Sequence, residues 1–258
     1  MMYKKTTLLF VLATALYLGL GEAQAREMEL NKAAKLIPQG WTVGDDVKFK
    51  KGTVVQLTDY GQVISGVLGE TTYLRPTGWE NLINDYYYME SISGVWHPRF
   101  FYPVGLRSGI ALPTYGHVRY KSGEQVVFDA DGCVIEGVID ENITVKLVAD
   151  KYGFVKLREG NLVSFYANGN LKSGTLDDDT KLRPEGWQAG YDGDESAGFI
   201  EFKGGRQIIF NAAGEVVQGT LNKNAVWKQP NGEIIQLEAK ETVRFKDGNV
   251  IKIEIKNK

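Results

Sequence analysis

Few residues in this 258-residue chain are of types that do chemistry at short spacing. The two histidines, His97 and His117, have no metal-ligand partner at a diagnostic spacing, so no metal site is expected. There is no Gly-x-Ser-x-Gly elbow, phosphate-cradling glycine loop or His-Glu-x-x-His motif. Acidic runs occur at Asp177-Asp178-Asp179 and at Asp192-Gly193-Asp194-Glu195-Ser196. The second places oxygens at alternate positions, as calcium loops do. However, Ala197 and Lys203 stand where such a loop wants Gly and Glu, so a solvated loop is the expectation. Cys133 is the single cysteine, which excludes a disulfide scaffold. It is expected to be an incidental, water-facing thiol. No catalytic residue and no cofactor is assigned. Paired carboxylates for glycoside hydrolysis are a spatial matter that spacing does not decide.

One stretch does stand out by type. WENLINDYYYMESISGVWHPRFFY (79–102) carries eight aromatic residues in 24, three times the chain's 11%. Aromatic faces stack on sugar rings or fill partner pockets. Tyr86, Tyr88, Trp96 and Phe101 are the candidate ligand-binding residues. The competing reading makes this segment a plug that supplies core to the end of a sheet.

The elements that must hold such a segment are repeats. Four segments align without a gap: VKFKKGTVVQLTDYGQVISGVL (47–68), VRYKSGEQVVFDADGCVIEGVI (118–139), VKLREGNLVSFYANGNLKSGTL (155–176) and IEFKGGRQIIFNAAGEVVQGTL (200–221). Each has a first glycine (Gly52, Gly123, Gly160, Gly205), a second nine residues on and a third five further on. Cys133 stands where the sister segments have Gln62, Asn170 and Glu215, which is why it is expected to face water. VRFKDGNVIKI (243–253) reads as a truncated fifth copy opening on Gly248. Apolar residues alternate on both sides of the first glycine, as in Val47/Phe49 and Val55/Leu57. That pattern predicts a hairpin with one buried face around each first glycine. A second turn follows at TDYG, DADG, YANG and NAAG. LIPQGW (36–41), LRPTGW (74–79) and LRPEGW (182–187) signal a further strand, closed by proline. Trp41, Trp79 and Trp187 are expected to cap the core between units.

The run FYANGNLKSGTL (165–176) resembles MORN-type repeats, especially the antitoxin-like bacterial variant. That resemblance implies an antiparallel repeat surface used for binding or scaffolding, with no catalytic residues to transfer. The first glycines are spaced 71, 37, 45 and 43 residues apart, which leaves room for a four-strand unit and marks an insertion after the first unit. The expected fold is all-β: tandem antiparallel β-meander repeats forming an elongated or wrapped sheet. A β-propeller of four-strand blades is the alternative. A short helix is accommodated near the mature N-terminus.

Lys4 and Lys5, the apolar run TLLFVLATALYLGL (7–20) and Ala23-Gln24-Ala25 read as a signal peptide cleaved near Ala25. The protein is therefore expected in the periplasm or outside the cell. The organisation reads as signal peptide 1–25, lead-in 26–46, first unit 47–79, aromatic insertion 80–117 and remaining units 118–258. A net charge of −2 gives no footprint for nucleic acid. No later segment is apolar enough to span a membrane. The expected partner is a protein or glycan of the bacterial envelope. Lys246, Lys252, Lys256 and Lys258 blunt the last strand against edge pairing, in favour of a monomer.

Overall fold

The computed structural model describes residues 25–83, 116–147, 153–190 and 198–253. Its backbone is all-β. Eleven strands form one open antiparallel sheet, the spine: β1 (Arg26–Glu29), β4 (Val54–Leu57), β5 (Val63–Val67), β9 (Gln125–Phe128), β10 (Val134–Val138), β13 (Leu162–Phe165), β14 (Leu171–Thr175), β17 (Gln207–Phe210), β18 (Val216–Thr220), β21 (Thr242–Lys246) and β22 (Asn249–Ile253). The other strands are short and pair among themselves. They are β2 (Ala34–Leu36) with β3 (Val47–Phe49), and β6 (Thr72–Leu74) with β8 (Val118–Tyr120). β7 (Leu82–Ile83), β11 (Ile143–Lys146) and β12 (Phe154–Leu157) form a trio. β15 (Thr180–Leu182) pairs with β16 (Ile200–Phe202), and β19 (Ala225–Lys228) with β20 (Ile234–Leu237).

The expected hairpins around the first glycines are not hairpins. β3 pairs with β2, whereas β4 pairs with β1 and β5, so the turn at Gly52 carries the chain from one layer to the other. Both flanks alternate because they face each other across the core, and alternation does not distinguish that arch from side-by-side pairing. The hairpins close instead at the second glycines: β4 with β5, β9 with β10, β13 with β14 and β17 with β18. Each contains a β-bulge early in its second strand, where Leu57 opposes Val63 but Gln56 opposes Ser65. The extra residue shifts the phase, so Val63 and Gly66, three apart, both face the core.

The third glycine sits mid-strand and serves packing. A Cβ on Gly66 would lie 2.7 Å from Phe49 Cδ1 and 2.8 Å from Val55 Cγ1. Gly137 meets Tyr120, Gly174 meets Leu157 and Gly219 meets Phe202 in the same way. Each opening-strand residue thus lays its side chain on a patch of bare backbone. Phe49, Tyr120, Leu157 and Phe202 are at most 1% exposed in the resulting continuous core. Each such side chain contributes about 1.5–3 kcal/mol by leaving water.

The last unit starts earlier than the glycine pattern suggests. β20 takes the opening place beside β19, and β21 and β22 form the hairpin, with Lys246 opposite Asn249 across Asp247-Gly248. Gly248 is therefore a second-type glycine. The first-glycine place is filled by Lys240, at φ 72°. Its amide donates to Leu221 O at 2.8 Å, as Gly205 does to Leu176 O at 2.8 Å. Glycine spacing carries no sign of this, because the residue there is Lys240.

The LxPxGW tails bind neighbouring units together. Pro38, Pro76 and Pro184 bridge to Val63, Val134 and Val216, the first residues of the second hairpin strands. Two residues on, Gly78 lies on Gly169 and Gly186 on Gly248, so each tail crosses to the following hairpin. Residues 26–36, which left room for a short helix, form β1 and β2. The eleven-stranded sheet is continuous and open, which is not the separate-blade architecture of a propeller.

Candidate functional site

The roots of the aromatic insertion are set by packing. Trp79–Asn81 form a 3-10 turn, and β7 then pairs with β11 through Leu82 opposite Val145 and Ile83 opposite Thr144. The chain returns at Gly116, where an added Cβ would stand 2.6 Å from the Trp79 ring. The Arg75 guanidinium lies 4.5 Å over that ring. The third unit repeats this arrangement: Gly198 lies against Trp187, and Arg183 sits 3.9 Å over Trp187 and 4.4 Å from the Phe199 ring. The insertion thus takes the place of a short loop between a tail tryptophan and the next opening strand. Tyr86, Tyr88, Trp96 and Phe101 lie outside the described residues, as do His97 and the 192–196 acidic run.

Trp79 and Trp187 are half-buried against the core, and so is Trp41, in a different pose. Its Nε1 donates to Gly132 O at 2.8 Å, and its ring meets Phe128 edge-on at 6.4 Å. These tryptophans join one unit to the next.

Beside the insertion's roots, Thr77 Oγ1 donates to Asp129 Oδ2 at 2.6 Å, while Asp129 Oδ1 accepts the amides of Asp131 and Cys133. Cys133 is half-buried there. Burial first, and then the Asp129 charge, push its thiol up, with Arg75 opposing. A thiol held protonated is a weak nucleophile. Among the described residues no group of three or more His, Cys, Asp and Glu side chains could hold a metal ion.

Two electrostatic features were not legible in the sequence. One is a ladder along the outside of the short strands. Lys48 pairs with Glu70 at 3.0 Å, Arg119 with Asp140 at 3.2 Å and Lys156 with Asp177 at 3.0 Å. The fourth unit reverses the order, with Lys223 on Glu201 at 2.8 Å. The Asp177–Asp179 run is laced into this ladder: Asp177 also accepts from Arg158, and Asp179 from Asn222 and the Gly204 amide. The hydrogen bond from Lys156 leads the causes that hold the Asp177 carboxyl below its ordinary range.

The other is a group of carboxylates, Glu185, Glu215 and Asp247, drawn together where the third tail crosses the fourth and fifth hairpins. Burial, then the Asp247 and Glu215 charges, raise the Glu185 carboxyl. Glu215 is itself held by Gln188 Nε2 and Asn211 Nδ2, both at 3.0 Å, which gives it a structural task. Only the crossing tail brings these residues together, so linear spacing carries no sign of them.

The fold and these contacts define an all-β tandem-repeat protein, in which the repeated polar and aromatic residues build the array. No family model matches the chain, and no curated protein does.

Proposed function

We propose that this is an exported, non-enzymatic β-repeat protein that binds or scaffolds a protein or glycan at the bacterial cell envelope or outside the cell. The observation that carries this reading is the use to which the repeated residues are put. The third glycines and the charge ladder tie strands within each unit, the tails and Glu215 tie one unit to the next, and an extended sheet surface is the product. The signal-like N-terminus and the repeat's resemblance to MORN-type arrays support the same reading. N-terminal sequencing of the protein recovered from periplasm and culture medium tests export. A mature end at Arg26 is the expected result, and retention of residues 1–25 overturns it.

A second reading, carbohydrate binding through the aromatic insertion, rests on the eight aromatics at 79–102 and on their rooting beside the Arg75–Trp79 stack. Soluble cell-wall glycan should quench tryptophan fluorescence saturably. Replacing Tyr86, Tyr88, Trp96 and Phe101 by Ala should abolish the quenching. An unchanged titration leaves protein scaffolding as the function.

A further inference from the structure

The face of the spine turned away from the core is a surface with its own composition. Outward positions alternate with core-facing ones and are largely apolar, amide or hydroxyl: Val127, Val138 and Ile209 are half-buried, Ser65 and Ser164 are buried among their neighbours, and Val54, Leu162 and Ile251 are 50%, 44% and 51% exposed. The hydroxyls and amides there bond within the face. Ser65 donates to Gln56 at 2.9 Å, and the Ser164 and Ser173 hydroxyls meet at 2.7 Å.

The outward charges are sorted by position. Glu27 and Glu29 on β1 and Glu136 on β10 lie on one side of β13. Lys172 on β14 and Arg244 and Lys246 on β21 lie on the other. β13 is the sixth of the eleven strands. β10 and β14 flank it directly, with Glu136 opposite Ser164 and Ser164 opposite Ser173, one residue from Lys172.

We propose that this face is the interface between two copies of the chain, stacked face to face about a two-fold axis parallel to β13. That rotation sets Glu136 of each copy against Lys172 of the other. It also sets Glu27 and Glu29 on β1 over β22, beside Arg244 and Lys246 one strand in, and Leu162 over its own counterpart. A surface with acid on one half and base on the other is self-complementary under this operation, as an isologous interface requires. The size is adequate. Strands about 4.8 Å apart and two or three outward residues deep make a face of about 50 by 13 Å, covering about 1,300 Å² over both copies, within the range of stable interfaces. Aligned sheet packing about 10 Å apart is the ordinary way two such faces meet. Lys252 on the last strand stands opposite the core-facing Val243 and so leaves this face untouched.

Sedimentation velocity on the full chain as exported, from micromolar to millimolar concentration, tests the proposal. A monomer–dimer equilibrium is expected. Glu136→Lys alone and Lys172→Glu alone should each weaken it about tenfold, since two like-charge contacts replace two opposite ones. The double variant should return to within a few-fold of the parent. Leu162→Asp, which sets two carboxylates face to face, should leave monomer, with the far-ultraviolet circular dichroism of the parent. A parent that stays monomeric throughout overturns the proposal. So does a dimer indifferent to all three changes, which would place the contact at an edge strand, and so does a double variant no better than the singles.

Discussion

The amide of Lys240 donates to the carbonyl of Leu221 at 2.8 Å while Lys240 holds φ at 72°. In the other units the same bond is made by glycine, from Gly52 to Leu30 O, Gly123 to Leu68 O, Gly160 to Ile139 O and Gly205 to Leu176 O. The left-handed conformation is thus demanded by the arch, and the fifth unit meets it with a side chain that resists it.

Lys240→Gly should therefore stabilise the protein by about 1 kcal/mol, the relief of left-handed strain less the added freedom of the unfolded chain. A rise of about 2–4 °C in the thermal midpoint is the reading to look for.

Gly66→Ala should destabilise by about 1–3 kcal/mol, because the new methyl meets Phe49 at 2.7 Å and Val55 at 2.8 Å in a filled core. Gly78→Ala should cost more, since its Cβ would run into the Gly169 backbone, which does not rotate away as a side chain does. Denaturant midpoints of the two variants, compared at constant slope, check the order.

Asp177 should contribute to the acid limb of stability. Its folded carboxyl titrates below its ordinary value of 3.8, so its contribution is present above about pH 4 and is lost as pH falls through the lower folded value. Asp177→Asn should flatten the decline of the unfolding midpoint between about pH 5 and pH 2. A variant whose decline matches the parent's would show that the Lys156 and Arg158 contacts carry no linkage.

Cys133 should react slowly with thiol reagents. Burial and Asp129 hold it above its ordinary 9.0, so at pH 8 its thiolate fraction is below that of a free thiol. A second-order rate at or above that of free cysteine at the same pH would contradict this.

The register of the repeat was legible because its constraints are local. A left-handed arch at Gly52 and a hairpin at Gly61 each need a particular residue within a few positions, and that need recurs in every unit. Arch and hairpin look alike in sequence because both present alternating apolar residues around a glycine. What differs is whether the flanks meet through backbone bonds or through side chains. The fifth unit begins one turn before its first glycine for a related reason: glycine reports a backbone conformation, and Lys240 adopts that conformation without it.

The sequence by itself determined an all-β repeat and the register of its glycines through the fourth copy, because periodicity and turn chemistry are written in neighbouring residues. Only the tertiary structure decided which strands share a sheet, why the third glycine is bare and how the tails cross from unit to unit. Those depend on contacts between residues that stand far apart in the chain, such as Gly78 on Gly169 and Gly186 on Gly248. The sorting of charge about β13 belongs with them, since Glu136 and Lys172 flank one strand only after eleven strands have taken their order.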